Sequence, residues 1–128
     1  MTDDARVLIV EGDAQLRALL QQALIDRDVP CDSAASVPDA LAYLGPNRYA
    51  LLLLHLEMPE VESVLEYIRS MRKGRRPIVL ITADVRSPKD AIDTELVQII
   101  IRRPLRVSEV AGMIRACLEF VPSSGSDR

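Results

Sequence analysis

Apolar residues gather in five short runs, Val7 to Val10, Cys31 to Ala34, Leu51 to Leu56, Ile78 to Thr82 and Val97 to Ile101. Each has the length of a strand, and all but the second are dominated by β-branched residues or leucine. Between the runs the spacing changes to the three-and-four pattern of a helix face. Leu16, Leu19, Leu20, Ala23 and Leu24 form one stripe after Asp13, and Pro30 requires it to end. A second stripe, Val37, Ala40, Leu41 and Leu44, opens at Ser36, whose hydroxyl can cap it with Asp39 at the third helical position. A third carries Val61, Val64, Leu65, Ile68 and Met71. A short fourth helix is predicted from Ser87-Pro88-Lys89-Asp90, where proline takes the first helical position. The last helix is predicted from about Ser108, with Val110, Met113, Ile114, Cys117, Leu118 and Val121 turned inward.

Strict alternation of strand and helix predicts a parallel sheet covered on both faces, because right-handed crossovers leave few other ways to bury the runs. Leu51 to Leu54 is apolar on both sides, as a central parallel strand must be. With 128 residues, 48% of them hydrophobic, the chain has material for one core. A single domain is expected over residues 1–121. Pro122 to Arg128, rich in Ser and Gly, is expected to be a disordered tail or the start of a linker.

Charge and composition narrow the function classes. A net charge of -3, no Trp, one Phe and three Tyr argue against a nucleic-acid groove or a base-stacking platform. Cys31 and Cys117 have no Cys or His neighbour at metal-ligand spacing and read as small buried hydrophobes in a reducing compartment. The polar start, Met1 to Arg6, and the absence of a long apolar run lead to the expectation of a cytoplasmic protein without a membrane span.

In an open parallel sheet, chemistry gathers at the carboxyl ends of the strands. Those ends hold Glu11, Gly12 and Asp13; His55, Glu57, Met58 and Pro59; Thr82 and Ala83; Arg103 and Pro104. Here the chain resembles the receiver domains of two-component response regulators. Val7-Leu8-Ile9-Val10-Glu11-Gly12-Asp13 looks like the family's opening strand and acidic loop. Leu53-Leu54-His55-Leu56-Glu57-Met58-Pro59 looks like the strand that presents the phospho-accepting aspartate and the Met-Pro turn after it. Leu80-Ile81-Thr82-Ala83 resembles the switch-threonine strand, and Arg103-Pro104-Leu105 the Lys-Pro-Phe turn. The likeness runs from Arg6 to about Phe120, with a slightly shortened segment around the fourth helix. It implies a flavodoxin-like (chemotaxis-type) α/β fold with a five-stranded parallel sheet of order 2-1-3-4-5, and a signalling role without catalysis. It further implies a protein partner on the surface of the fourth helix, fifth strand and fifth helix, Ser87 to Leu118, with homodimers among the assemblies open to it.

The departures from the family pattern carry as much information. In an active receiver two acids of the first loop and the acceptor aspartate hold Mg²⁺. Glu11 matches the first acid, Gly12 replaces the second, and His55 replaces the acceptor, so neither Mg²⁺ nor any other cofactor is expected. Arg103 stands for the phosphoryl-pairing lysine, Ile100 for the switch aromatic, and Glu62-Ser63 for the Asp-Gly after the turn, while Thr82 is retained. His55 either fills the old site, hydrogen-bonded to Glu11 or Asp13, or acts as a ligand, a phospho-acceptor or a pH switch. Asp13 is a helix cap or a displaced second acid, and Thr82 a structural hydroxyl or a switch. Arg103 is expected to form an ion pair across the site with Glu11 and Asp13. The basic cluster Arg69, Arg72, Lys73, Arg75 and Arg76 reads as a helix end complementing the macrodipole, or as a surface for an anionic partner. The leading expectation is a receiver-like domain that works without phosphorylation, through protein contacts. A phosphorelay module using His55 as acceptor and a small anion- or metal-binding α/β protein are the alternatives.

Overall fold

A strand with apolar residues on both sides has to be covered on both sides, and β1 (Val7–Val10) is buried along its whole length. The computed structural model describes residues 6–84 and 95–119. After β1 come α1 (Ala14–Ile25), β2 (Cys31–Ala34), α2 (Val37–Leu44), β3 (Leu51–His55), α3 (Val61–Ser70), β4 (Ile78–Ala83), β5 (Val97–Arg102) and α4 (Val107–Glu119). The strands form one sheet of order β2-β1-β3-β4-β5 with every neighbouring pair parallel. This is the flavodoxin-like arrangement expected from the sequence. The helix expected at Ser87, the tail after Pro122 and the domain limits at residues 1 and 121 lie outside the described residues. No helix among the described residues is long and apolar enough to cross a membrane.

The side chains of each strand divide between two layers. Leu8, Val10, Leu52, Leu54, Val79 and Ile81 pack with α2 and α3, where Val37, Ala40, Leu44, Val61, Val64, Leu65 and Ile68 are buried. Val7, Ile9, Leu51, Leu53 and Leu80 pack on the other face with Leu20 and Leu24 of α1 and with Val110, Ala111 and Ile114 of α4. Leu19, placed on the inner stripe of α1 by its spacing, is instead 53% exposed. Leu20 and Leu24 already fill the centre of that contact, and Leu19 lies one residue round the helix from them. Cys31 and Cys117 are half-buried at the margin of this layer, not fully enclosed.

Helix starts follow the local chemistry read from the sequence. Asp13 Oδ1 accepts from the backbone N–H groups of Gln15 (2.9 Å) and Leu16 (3.1 Å), and Ser36 Oγ accepts from Asp39 N (3.3 Å). At the carboxyl end of α3, Arg76 donates from Nε to Met71 O (3.1 Å) and from Nη2 to Arg69 O (2.7 Å), so one member of the basic cluster closes off helix carbonyls.

The β4–β5 ladder contains a bulge. Val79 pairs with Val97 and Leu80 with Ile99, which leaves Gln98 as an extra residue. Its side-chain Oε1 accepts from Val79 N at 2.7 Å, where a regular ladder would offer a backbone carbonyl. Beyond the bulge, Ile100 joins the α2/α3 layer, as Val97 does before it, and Ile99 and Ile101 join the α1/α4 layer.

Candidate functional site

Parallel strands bring their carboxyl ends to one edge of the sheet, and β1, β3, β4 and β5 there deliver Glu11, His55, Thr82 and Arg103. Two backbone bonds fix the loops around them, Leu56 N to Thr82 O (2.8 Å) and Arg103 N to Ala83 O (2.9 Å). Glu11 is the centre of the group and is only 2% exposed. Its Oε1 accepts from Arg103 Nη2 at 2.6 Å, the short contact of a charge-assisted bond. Its Oε2 accepts from Asp13 N at 3.1 Å and lies 3.3 Å from His55 Nδ1. That last contact is at ion-pair distance but lacks the alignment of a hydrogen bond. Arg17 Nη1 donates to the backbone carbonyl of Glu11 at 2.8 Å.

His55 has a second carboxylate on its other side, with Nε2 3.1 Å from Glu57 Oε1. Glu57 in turn accepts from Asp84 N, at 3.2 Å and 3.1 Å to its two oxygens. The imidazole therefore links the first loop to the loop after β4. Thr82, 1% exposed, lies at 3.3 Å from Arg103 Nη2, and its Oγ1 accepts. One guanidinium nitrogen thus meets both the carboxylate of β1 and the hydroxyl of β4.

Burial pushes the Glu11 carboxyl up, as it does any acid removed from water. The neighbouring imidazole of His55, the Asp13 backbone N–H and the charges of His55 and Arg103 outweigh it and hold the group at about 2. Glu11 is therefore an anion at neutral pH.

The sequence reading brought Glu11, His55, Thr82 and Arg103 to one place, and they are together. Asp13 contributes its backbone N–H, while its Oδ1 serves the start of α1. The ion pair expected of Arg103 forms with Glu11. Ile100 packs against the α2/α3 layer as a half-buried core residue. Glu57 stood among the strand-end residues, but its pairing with His55 was not anticipated. The available signal was an acid two positions after a strand-end histidine, where the turn can fold it back.

Mg²⁺ requires several oxygen donors in a near-octahedral shell. Both oxygens of Glu11 face donors of the protein, Asp13 Oδ1 caps α1, position 12 offers no side chain, and position 55 offers nitrogen. The residues present do not fit that ion.

Comparison with known proteins agrees with this architecture. The family described as "Response regulator receiver domain" matches residues 7–114. Transcriptional regulatory protein ResD of Bacillus subtilis (strain 168) is 32% identical over 83 residues, covering 64% of this chain and 34% of that protein. Transcriptional regulatory protein PmrA of Pectobacterium parmentieri is 26% identical over 131 residues, covering 96% of this chain and 56% of that protein. The chain thus spans about half or less of the length of these curated relatives. The crystal structure of a CheY-like response regulator receiver domain protein from Methanospirillum hungatei JF-1 superposes with a TM-score of 0.78 at 19% identity, covering 91% of this chain and 94% of that one. On sheet order, strand-end residues and sequence match together, this chain belongs to the response regulator receiver domain family.

Proposed function

We propose that this receiver domain signals without aspartyl phosphorylation and without Mg²⁺, by binding a protein partner. One observation carries the reading: where the family has its acceptor aspartate, an imidazole lies between two carboxylates, and the remaining loop acid is paired with Arg103. Phosphoryl transfer depends on a positioned nucleophile and on neutralised charge. Here the aspartate nucleophile is absent, and a donor phosphate approaching His55 would face Glu11 and Glu57. The partner surface proposed is the stretch Ser87 to Leu118, which takes in β5 and most of α4. Within its described part, Ile99, Ile100 and Ile101 of β5 are only partly covered.

The test is intact mass spectrometry after incubation with acetyl phosphate and Mg²⁺. The natural protein and His55→Asp are expected to remain unmodified, because Gly12 leaves the metal short of an anionic ligand. The double variant Gly12→Asp/His55→Asp is expected to gain a phosphoryl group. A side chain fits at position 12, where a Cβ would lie 3.8 Å from its nearest neighbour, Ala35 O. Efficient modification of the natural protein, at His55 or elsewhere, or of the single variant, would sink the proposal.

A further inference from the structure

Between Glu66 and Asp84 the chain carries no acid, and five of its 16 cations, Arg69, Arg72, Lys73, Arg75 and Arg76, fall within that interval. A helix dipole draws cations only to the last turn of its helix, and α3 ends at Ser70 with Arg76 already bonded to the carbonyls of Arg69 and Met71. Arg72, Lys73 and Arg75 come after that turn. Their side chains are exposed and form no ion pair or hydrogen bond among the described residues. In a chain of net charge -3 they are a local surplus of positive charge that the fold itself does not use.

The same turn borders a cavity of about 310 Å³ at the amino edge of the sheet, the edge opposite Glu11 and Arg103. Ile68, Ile78 and Leu96 give it apolar walls, and Lys73, Arg76, Glu95 and Gln98 give it polar ones. The volume is at the small end of ligand pockets and suits one or two side chains. Gln98 Oε1 is taken by Val79 N at 2.7 Å, so its amide N–H groups are left to donate. Cations at the rim, apolar walls within and an amide donor match an extended acidic peptide. Such a peptide would seat one aliphatic side chain, set carboxylates against Lys73 and Arg75, and offer a backbone carbonyl to Gln98. From this juxtaposition we propose that the cavity beside the α3–β4 turn is a docking site for an acidic segment of a partner protein, anchored by one aliphatic side chain. Glu95, the one acid of the lining, comes from the approach to β5 and confines the peptide's carboxylates to the Lys73 side. A nucleic acid has no aliphatic side chain to seat there. Leu96 and Gln98 belong to the stretch Ser87 to Leu118, so the inference rests on the reading that the domain works through a protein partner. It adds what that partner presents, and it extends the surface to the turn before β4.

Two synthetic peptides are the probes, a short fluorescent one of aspartates and glutamates around a single leucine, and its twin with serine for leucine. The leucine peptide is expected to bind with a Kd below about 1 mM and to shift the NMR signals of Lys73, Ile78, Leu96 and Gln98 together. The serine twin should bind at least about tenfold more weakly, through the loss of one buried aliphatic side chain. Lys73→Glu/Arg75→Glu should abolish binding of the leucine peptide and leave urea unfolding as in the natural protein, because both side chains are exposed. Should that variant fail to fold, Lys73→Gln/Arg75→Gln removes the charges without reversing them and must weaken binding at least about fivefold. No shift at those four residues at about 5 mM peptide would overturn the proposal. Equal binding of the two peptides, or binding that survives charge reversal, would overturn it too and reduce the cluster to a solvated helix end. A short DNA duplex that shifts the same residues as strongly as the leucine peptide would overturn it in favour of a surface for polyphosphates. A partner captured from the protein's own cells that is lost on Arg106→Glu but kept by folded Lys73→Glu/Arg75→Glu would refute this site and leave the protein-contact reading standing. Covalent addition of phosphate in the mass measurement would refute that reading instead, with no bearing on where the peptides bind.

Discussion

Replacing Glu11 by Gln should produce a loss of stability that depends on pH in a defined direction. Each tenfold change in proton affinity is worth about 1.4 kcal/mol. A carboxyl held at about 2, against an ordinary 4.5, therefore contributes about 3 kcal/mol to folding at neutral pH. Because the folded state lowers this value, the unfolded chain takes up the proton first as pH falls. The contribution is fully present above about 4.5 and is lost as pH falls towards about 2. Glutamine keeps the shape and can still accept a neutral hydrogen bond, so the expected gap at neutral pH is about 2 to 3 kcal/mol. A domain with about 5 to 15 kcal/mol in reserve still folds after that loss. Urea unfolding followed by circular dichroism, apt for a chain with no Trp, would measure natural protein and variant at a series of pH values. The two curves should converge as the solution is made acid. A gap that stays constant with pH would show that Glu11 acts through packing and not through its charge. A variant more stable at neutral pH would show that desolvation of the Glu11–Arg103 pair exceeds its attraction, and the reasoning would be refuted.

Two further outcomes separate the site from its surroundings. Asp13→Ala should cost about 1 kcal/mol in thermal or urea unfolding through the lost cap of α1. It should leave the Arg103 resonances in place, since residue 13 reaches Glu11 by its backbone N–H. Arg106→Glu changes a side chain 80% exposed whose pair with Glu109 is long, at 3.7 Å, so folding should be unaffected. A partner captured by the natural protein from its own cells should bind the variant more weakly, and unchanged binding would reject the proposed surface.

The strands were readable because each is a run of buried apolar residues, and their observed limits differ from the expected ones by at most a residue at either end. The cap at Asp13 and the start of α2 at Ser36 were readable because capping is local chemistry within three residues. The Glu11–Arg103 pair joins residues 92 apart, and it could be expected only by placing both at the same carboxyl edge of one parallel sheet. Glu57 escaped because its partner depends on how the turn after β3 folds back, which the two-residue spacing from His55 permits but does not fix. Leu19 escaped because a stripe drawn from spacing alone does not say how wide the neighbouring helix is. The bulge at Gln98 escaped because an uncharged polar residue inside an apolar run looks like an ordinary outward-facing position.

That bulge also governs geometry at the opposite end of its strand. From Ile99 onward β5 runs in register with β4 until Arg102 stands opposite Ala83, and Arg103 comes next. Sliding β5 by one residue would carry Arg103 about 3.3 Å along the sheet. It would also turn the residues that follow towards the wrong layer. A contact of 2.6 Å to Glu11 does not survive a step of that size. The strand works as a ruler whose zero mark is the Gln98 amide bonded to Val79 N, and the reach of the cation at the far end is measured from it.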